Sequence, residues 1–233
     1  MLKKKNIIYL YSISPFLILR NFEIIRNYIS NDKRNIKLIG VGSGVSYSTM
    51  GKTHFNLDDI NSIYSLKNIL ILNPSNIDEL DYVYTKFKSY KYPVYYRINK
   101  FNYTNHFKLK RKNNIFYKKE KKTNLVTSGA VLNHILSNLN EKEIYHLNII
   151  SLPIMNHKYL NNFQSLLNKK NKTIFICDSS KTLFFEELKS KLNYTKRTLN
   201  FDCNHNKIKN VGDYSFILNS LGLNRKNLIK LLF

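Results

Sequence analysis

The stretch from Asn35 to Ile63 restricts the possible folds more than any other part of the sequence. It begins with an apolar run, Ile36 to Val41, continues through a loop that contains three glycines, and ends in a helical pattern that Asn56 or Asp58 caps. Glycine lets the backbone adopt positive φ and approach a ligand closely. A strand that leads through such a loop into a capped helix is typical of open α/β sheets, which bind ligands at the carboxyl ends of their strands.

The rest of the sequence alternates between short apolar runs and longer amphipathic patterns. Strands are predicted where apolar runs stand between turn residues. These runs are 7–11, 36–41, 69–72, 93–98, 125–127, 144–150, 173–177 and 195–201. Helices are predicted at 16–29, 58–66, 77–90 (with Ser75 as its cap), 131–139, 157–167, 183–192 and 213–221, with a short last helix after Asn224. This alternation predicts the α/β fold class, with two three-layer αβα domains built on mainly parallel sheets.

A basic stretch divides the chain into two α/β regions. Residues 101–123 contain a dense run of lysine and arginine and no acidic residue before Glu120. We interpret this stretch as a linker with an extended piece at Ile115 to Tyr117. The predicted domains are therefore residues 1–100 and residues 124–233.

The formal net charge of +23 allows two interpretations. A strongly basic protein is suited to bind nucleic acid or an anionic membrane surface. The lysines are, however, spread over the whole chain, and asparagine, isoleucine and tyrosine are also abundant, which is typical of drift toward A/T-rich codons. The sequence has no aromatic–basic RNA motif or recognition-helix pattern. We therefore favour drift and do not expect a nucleic-acid partner.

The apolar run from Ile7 to Leu19 resembles a signal peptide or a membrane anchor, because three lysines precede it. Pro15 interrupts the run, and Arg20 ends it before it reaches the roughly 20 residues that span a bilayer. We therefore expect a buried strand and a turn into a helix, without membrane contact.

The two cysteines, Cys177 and Cys203, do not match the spacing of a zinc site. Cys177 stands in an apolar run that is typical of a buried strand. We expect both cysteines to be reduced thiols in a cytoplasmic protein, and we expect no metal ligands from this chain.

Several polar and aromatic residues have a functional and a structural interpretation. His54 either exchanges a proton with a substrate oxygen or satisfies a turn carbonyl. Phe16 and Phe22 either stack on an aromatic ligand or pack in the core, and their spacing favours the core. Arg97 ends a strand and either binds a phosphate or carboxylate or faces solvent. Asp178, at another strand end, is either an acid site or a helix cap.

Five segments, taken together in this order, resemble the C-terminal half of transketolases. Residues 11–27 contain Pro-Phe-Leu at the start of a helix, and residues 37–60 contain a strand, a glycine loop, Gly-x-Thr-His and two acidic residues. Residues 66–80 and 93–100 are similar to the family's Pro-Asn…Glu and Pro-x-Tyr-x-Arg segments. Leu125 to Phe233 is similar to the family's C-terminal domain, including Thr-Ser-Gly-Ala-Val and the closing helices.

This resemblance implies an incomplete thiamine-diphosphate-binding fold, followed by a transketolase C-terminal-like domain. It also implies thiamine diphosphate shared with a partner chain. Phe16 stands where the family stacks a phenylalanine on the pyrimidine ring, and Leu19 and Phe22 stand where further side chains wall that ring. His54 matches a histidine that contacts substrate oxygens, so it is the candidate catalytic residue. Arg97 matches an arginine that binds a sugar phosphate.

The sequence also departs from the family's pattern. The glutamate that activates the cofactor lies upstream of the Phe16 segment in the family, whereas the first acidic residue here is Glu23. Met50 replaces an aspartate, Gly42 a phosphate-binding histidine and Lys52 a proline. The sequence contains no Gly-Asp-Gly…Asn motif for magnesium and diphosphate. The resemblance therefore implies that a partner chain supplies the glutamate, the Mg²⁺ and the diphosphate ligands.

These observations predict a transketolase-like C-terminal subunit that takes part in ketol transfer or carboligation on a sugar or 2-oxo acid substrate. The expected partner is an N-terminal transketolase-like subunit, a second copy of the chain, or both. The alternative is a non-catalytic truncated remnant or interaction module. That alternative rests on the first strand and helix of the domain, whose loss exposes a sheet edge.

Overall fold

The computed structural model describes residues 6–100, 108–120, 122–161, 163–192, 198–201, 203 and 205–233. Strands and helices alternate in this part of the chain and form two mainly parallel sheets, which confirms the predicted α/β fold class. No helix among the described residues is both long enough and apolar enough to span a membrane.

The first sheet has four strands in the order β1-β2-β4-β3, and all neighbouring strands are parallel. The strands are β1 (Ile8–Ile13), β2 (Ile36–Val41), β3 (Leu70–Leu72) and β4 (Val94–Ile98). The helices of this region are α1 (Ser14–Ile18), α2 (Phe22–Ile24), α3 (Asp59–Ser65) and α4 (Ile77–Phe87). A π-helix (Ile25–Ser30) continues α2, and 3₁₀ turns lie at Ser48–Met50 and Lys52–His54.

Helices cover the two faces of the first sheet unequally. On one face, α1 and α3 bury Ile18 and Ile60 against Tyr95 of β4. On the other face, α4 packs Phe87 over Tyr96 and leaves the β1 side of that face uncovered by the described residues. The prediction of a buried first strand is therefore wrong. β1 is an edge strand, and Tyr11 at its centre is 72% exposed.

The second sheet has six strands in the order β10-β9-β7-β8-β6-β5. The strands are β5 (Lys110–Lys112), β6 (Ile115–Lys118), β7 (Asn124–Ser128), β8 (Asn148–Ser151), β9 (Thr173–Cys177) and β10 (Thr198–Phe201). Its α-helices are α5 (Val131–Ser137), α6 (Glu141–Tyr145), α7 (Phe163–Leu166), α8 (Leu183–Ser190), α9 (Tyr214–Leu218) and α10 (Arg225–Leu232). Shorter turns lie at His157–Tyr159 and His205–Lys207, and a π-helix follows α9 at Asn219–Leu223.

The structure corrects the sequence interpretation of this region in three places. The stretch predicted as a linker contributes the hairpin β5–β6, whose second strand pairs antiparallel with β8, while residues 101–107 and 121 lie outside the described part. The strand predicted at 144–150 begins as helix α6 and becomes strand β8. The helix predicted at 157–167 is a 3₁₀ turn and the short helix α7. The domain bounds stay a prediction, with a linker shorter than expected.

The two sheets share one hydrophobic core. Ile60 and Ile63 of α3 belong to the same buried cluster as Phe184 and Leu188 of α8. Main-chain hydrogen bonds also cross between the sheets, because the segment after β8 runs antiparallel to the edge of β3. Asn73 N–H donates to the Pro153 oxygen at 2.8 Å, and Met155 N–H donates to the Ile71 oxygen at 3.0 Å. The β3 edge is therefore covered by the second half of the chain.

Two helices begin with an asparagine cap and a glutamate three residues later. At α4, the Asn76 side chain accepts from the Glu79 N–H at 2.9 Å, and Glu79 accepts from the Ser75 N–H at 2.7 Å. At α6 the pair is reciprocal, because the Asn140 side chain accepts from the Glu143 N–H at 2.9 Å and Glu143 accepts from the N–H of Asn140 itself at 2.7 Å. Glu79 is completely buried, whereas the Glu143 side chain is 20% exposed, so two glutamates with similar roles at helix starts lie in different environments. Asn76 rather than Ser75 occupies the N-cap position of α4, so the predicted cap of this helix is wrong by one residue.

Candidate functional site

The carboxyl ends of the parallel strands of the first sheet bring together residues that are far apart in sequence. α1 begins directly after β1, the glycine loop follows β2, and Arg97 lies near the end of β4. The loop is attached to β4, because the N–H groups of Gly42 and Ser43 both donate to the Ile98 oxygen at 2.9 and 3.2 Å. Parallel strands end at one edge, and a ligand site is expected there.

His54 lies beside Phe16 at this edge. It ends the 3₁₀ turn Lys52–His54, and its half-buried ring meets the Phe16 ring edge-on, with the centroids 5.0 Å apart and the planes at 66°. Its Nδ1 is 3.0 Å from the Thr53 hydroxyl oxygen, while Nε2 has no hydrogen-bond partner among the described residues. The Tyr47 ring stands 6.4 Å away on another side. The imidazole therefore has one nitrogen held by the loop and one available to a ligand.

Phe16, Leu19 and Phe22 are apolar side chains of one segment that lie outside the core, and we call this set the apolar wall. Phe16 and Phe22 are half-buried, so the interpretation of these two residues as core is wrong, and Leu19 is 39% exposed. The core side of the same segment consists of Leu17, Ile18, Ile25 and Ile29, which are all buried. The structure thus gives the helix two apolar faces, one packed and one open.

One face of the Phe16 ring is already in contact with a cation. The guanidinium carbon of Arg20 lies 4.0 Å from the ring centroid, which is a cation–π geometry. The sequence interpretation did not include this contact. The spacing of four residues between Phe16 and Arg20 on one helical segment could have suggested it.

All five N–H groups of the Arg97 guanidinium face oxygen acceptors. Nε donates to Asp59 Oδ2 at 2.8 Å, and Nη1 donates to Asp178 Oδ1 at 2.7 Å and to Asn73 Oδ1 at 3.3 Å. Nη2 donates to the main-chain oxygens of Asn56 at 3.2 Å and Asp178 at 3.1 Å. The side chains of Arg97, Asp59 and Asp178 are completely buried. This network joins β4 of the first sheet to the end of β9 in the second.

The substrate-binding role predicted for Arg97 stays a prediction, and this geometry does not favour it, because the guanidinium has no donor left for a phosphate. The alternative of a solvated arginine is wrong, since Arg97 is buried. Asp178 does not cap the following helix, because Thr182 occupies the N-cap position of α8 and Asp178 pairs with Arg97. A charged residue at the ends of two strands, one in each sheet, was the available sequence signal for this pair.

Burial and neighbouring charges shift the pKa values of Arg97 and Asp178 in opposite directions. Burial lowers the pKa of Arg97, but Asp178 and Asp59 raise it, and the result is a pKa well above the usual value. Burial raises the pKa of Asp178 against the effect of Arg97. Burial, and then Asp59, also raise the pKa of Tyr95, whose hydroxyl donates to Asp59 Oδ2 at 2.6 Å. One guanidinium therefore pairs with two buried carboxylates.

The glycine loop serves the packing between the two halves as well as the site. Gly44 has φ +58°, and a Cβ at this position would lie 2.4 Å from Asp178 Oδ2. Gly129, in the turn after β7, has φ +85°, and a Cβ there would lie 2.6 Å from the Asn73 amide nitrogen. At both positions glycine permits the close approach of a polar side chain from the other half.

The described residues fit the apolar part of a thiamine diphosphate site and not its diphosphate part. The open wall formed by Phe16, Leu19 and Phe22 suits an aromatic ring. Within the described ranges, no group of three His, Cys, Asp or Glu side chains is placed to hold a metal ion. Asp213, the one aspartate in the Gly-Asp-Tyr sequence, caps α9 by accepting from the Phe216 N–H at 2.7 Å.

Comparison with known proteins gives partial matches in sequence and a nearly complete match in fold. No protein-family model matches the sequence. One subunit of the apulose-4-phosphate transketolase of Actinobacillus succinogenes is 35% identical over 86 residues, which are 37% of this chain and 28% of that protein. The corresponding subunit from Phocaeicola vulgatus is 27% identical over 85 residues, or 36% of this chain and 27% of that one. The matched part is thus little more than a quarter of these relatives.

Solved transketolase structures match nearly the whole chain. A split-gene transketolase, described as an inactive β4 tetramer, has a TM-score of 0.73 at 18% identity, covering 96% of this chain and 74% of its own. The transketolase of Campylobacter jejuni has a TM-score of 0.70 at 14% identity, covering 95% of this chain and 34% of its own. The resemblance predicted from the sequence is therefore confirmed. This chain is similar in sequence to transketolase C-terminal subunits and has the fold of the C-terminal part of transketolases.

Proposed function

We propose that this chain provides the pyrimidine side of a thiamine diphosphate site in a transketolase-like enzyme. The observation that carries this proposal is the contact between Phe16 and His54 at the carboxyl ends of β1 and β2, next to the open wall formed by Leu19 and Phe22. An apolar wall beside a half-buried imidazole is suited to an aromatic ligand and a polar substrate.

Each of these residues has a distinct role in the proposed site. Thiamine diphosphate supplies the carbanion chemistry that makes and breaks carbon–carbon bonds next to a carbonyl. Phe16 offers a ring face for stacking, and Arg20 restricts the accessible face to the one it does not cover. His54 Nε2, which has no hydrogen-bond partner within the described part of the chain, can donate a hydrogen bond to a substrate oxygen or accept a proton from it. Leu19 and Phe22 keep water away from the ring.

The proposed enzyme needs a second chain for the polar half of the cofactor. The similar apulose-4-phosphate transketolase proteins support this requirement, because each is named as one subunit of its enzyme. We propose that an N-terminal transketolase-like subunit supplies the activating glutamate, the Mg²⁺ and the diphosphate ligands. The substrate class, a sugar or a 2-oxo acid, and the cytoplasmic location remain proposals that rest on the resemblance and on the two buried free thiols.

Cofactor retention in a mixture of two chains tests the proposal. The 233-residue chain is mixed with an N-terminal transketolase subunit encoded beside its gene, thiamine diphosphate and Mg²⁺ are added, and the complex is isolated by gel filtration. We expect the complex to retain thiamine diphosphate and to catalyse carboligation. Phe16→Ala is expected to weaken cofactor affinity about tenfold through the loss of one aromatic stack. His54→Ala is expected to retain the cofactor and to lower the turnover number about a hundredfold.

Arg34→Ala is the matched control, because Arg34 is exposed and pairs with Asp32 within a surface turn. This variant is expected to behave like the unsubstituted chain in both measurements. The proposal fails if two folded chains retain no thiamine diphosphate together, or if Phe16→Ala and Arg34→Ala have the same affinity.

A non-catalytic interaction module is the second candidate function. It is favoured by one observation, the uncovered edge and face at β1, which a partner rather than a substrate would cover. Under this alternative the chain forms a stable complex that neither binds thiamine diphosphate nor responds to Phe16→Ala.

A further inference from the structure

A polar pocket of about 360 Å³ lies on the surface, between helix α4 and the β5–β6 hairpin. Its lining combines two cations with a tyrosine ring and three asparagines, and it contains no acidic side chain. The lining residues are Tyr82, Lys86, Arg111, Asn113, Asn114 and Asn161. None of them belongs to residues 14–22 or 42–54, which carry the proposed thiamine diphosphate site. The pocket is therefore a separate feature, and its interpretation does not rest on the proposed function.

The alternation of side chains along β5 places Arg111 on the pocket side of the hairpin. Arg111 stands opposite Phe116 of β6, which is buried. The Phe116 ring in turn meets the Tyr82 ring of α4 edge-on, with the centroids 5.6 Å apart. Successive side chains of a strand point to opposite faces, so Lys110 and Lys112 point away from α4. One strand thus carries a cation that lines the pocket and two cations that do not.

The Arg111 guanidinium is held in position before any ligand binds. Its carbon lies 4.4 Å from the centroid of the Tyr82 ring, and Nη1 donates to the Asn113 oxygen at 3.3 Å. Tyr82 is itself fixed, because its hydroxyl donates to Asn114 Oδ1 at 2.7 Å and Asn114 donates to the Tyr159 oxygen at 2.9 Å. A side chain that is already ordered loses less entropy when it binds a ligand.

The positive charge of the pocket is not neutralised by the described part of the chain. Among the described residues, no carboxylate forms an ion pair with Arg111 or Lys86. The Lys86 ammonium lies 5.7 Å from the centroid of the same Tyr82 ring, so both cations lie beside one ring. Asp78, one turn before Tyr82 on α4, does not line the pocket. Two neighbouring cations repel each other, and a bound anion relieves that repulsion.

We propose that this pocket binds a phosphate group, either as free phosphate or as the phosphate ester of a small molecule. Arg111 presents its remaining N–H groups as a planar fork that matches two phosphate oxygens, and Lys86 adds a point charge. The exposed Asn161 amide can donate a further hydrogen bond at the rim. A phosphate group carries more negative charge than a carboxylate, so it suits two cations better.

A ligand in this pocket contacts both halves of the chain. Tyr82 and Lys86 belong to α4, which packs on the first sheet, whereas Arg111 belongs to the hairpin that extends the second sheet. The complete pocket exists only when the two halves are packed together. A ligand that binds the folded chain alone raises its thermal stability, so phosphate should stabilise the packing between the halves.

Isothermal titration calorimetry of the 233-residue chain measures this binding. The chain is used alone, without thiamine diphosphate or a second chain, and is titrated separately with inorganic phosphate and with AMP. We expect saturable binding at one site that weakens as the salt concentration rises, because the site is open to solvent. Binding of both probes identifies a phosphate ester as the ligand, and binding of inorganic phosphate alone identifies the free anion. Both results support a phosphate site.

Two pairs of variants locate the binding site. Arg111→Gln removes the planar fork and one charge, so the affinity should fall about tenfold or more. Lys112→Gln is its matched control, because it removes the same charge from the other face of β5 and should change the affinity about twofold or less. Lys86→Gln should weaken binding about threefold, whereas Lys88→Gln, on a different face of α4, should not. All four side chains are exposed, so the variants should keep the fold.

Three results would overturn the proposal. If neither inorganic phosphate nor AMP binds the folded chain, the pocket is not a phosphate site. If Arg111→Gln and Lys112→Gln weaken binding equally, the probes are attracted by the net charge of +23 and not by this pocket. If a short DNA duplex binds more tightly than AMP and Arg111→Gln weakens the binding of the duplex alone, the ligand is a nucleic acid and not a small phosphate compound.

Discussion

The two sheets of this protein protect their edges in different ways. One of the two outer strands of the second sheet, β5, consists of Lys110, Arg111 and Lys112, all exposed and all positively charged. The outer strand of the first sheet, β1, is uncharged and apolar although it is also exposed. A row of charges prevents another strand from pairing, whereas an apolar edge invites it. The second sheet is therefore suited to end in solvent, and the first is suited to be continued or covered.

The faces of the two sheets also differ in how completely helices cover them. Helices α5, α9 and α10 cover one face of the second sheet, and α7 and α8 cover the other. In the first sheet α4 covers half of one face. Parallel sheets are normally buried on both faces. The half that carries Phe16 and His54 is thus the half that lacks cover, which agrees with a site that a second chain completes.

The junction between the halves gives the largest predicted effect. Arg97→Met leaves Asp59 and Asp178 buried and uncompensated, so the free energy of unfolding should fall by about 3–5 kcal/mol. Urea denaturation of the variant measures this change. An unchanged free energy of unfolding in Arg97→Met would show that the two halves do not depend on this arginine.

Arg225→Met is the control for this experiment. Arg225 makes a two-bond pair with Glu143 on the surface, and exposed pairs contribute about 0–1 kcal/mol. If both variants lose the same free energy of unfolding, the buried Arg97 network contributes no more to stability than an exposed ion pair.

The second largest effect is a pH dependence of stability that comes from the glutamates at the starts of α4 and α6. Burial raises the pKa of Glu79 to about 7. The folded protein therefore favours the protonated form, and the stability that Glu79 contributes is present at low pH and is lost as the pH rises through about 7. Glu79→Gln should abolish this loss, which amounts to about 3 kcal/mol between pH 5 and pH 9. Guanidinium denaturation across this range measures it.

Glu143→Gln should act with the opposite sign. Its N-cap partner Asn140 and the nearby Arg225 lower the pKa of Glu143, so the charged form is the stabilising one. The variant should lose a small amount of stability above the usual glutamate pKa and none below it. An identical pH response of the two variants would show that burial does not distinguish the motifs.

The edges themselves give the smallest effect on stability and a clear effect on association. Lys110→Thr with Lys112→Thr turns β5 into an edge with a single charge without changing its hairpin partner β6. We expect the free energy of unfolding to change by about 0.5 kcal/mol or less. Sedimentation velocity should nevertheless show self-association beyond that of the unsubstituted chain, because β5 would then be an exposed edge with little charge to prevent strand pairing.

Unchanged sedimentation of this double variant would mean that charge is not what protects β5. The surface pair Lys118–Glu120, at the end of β6, provides the control substitution Glu120→Gln, which leaves both edge strands as they are.

The sequence predicted the central strands well and the edges poorly. β2 and β9 have the bounds that their apolar runs indicated, because central strands of a parallel sheet are buried on both faces. β5 was assigned to a linker, because a charged edge strand has the composition of a solvated segment, whereas β6 matches the extended piece expected at Ile115 to Tyr117. The local composition of a segment indicates whether it is buried. For an edge strand, burial depends on how the rest of the fold packs, so local composition does not predict it.

The sequence predicted which residues lie near the site, but it did not predict which of them contact each other. Phe16 and His54 were singled out separately, and the structure places their rings together. Arg97 was singled out as a binding residue, yet its partners Asp59 and Asp178 come from opposite halves of the chain. Pairing across such distances depends on how the two sheets dock, and no periodicity within one element contains that information.

Gly44 and Gly129, which each make room for a side chain of the other half, restrict how this chain can be combined with its relatives in chimeras. Gly44 of the first half makes room for Asp178 of the second, and Gly129 of the second half makes room for Asn73 of the first. Each half therefore carries both a protrusion and the matching recess. A chimera that takes one half from a relative fits only if both members of each pair are exchanged or preserved together, so the two domains are separate in topology and inseparable as units of exchange.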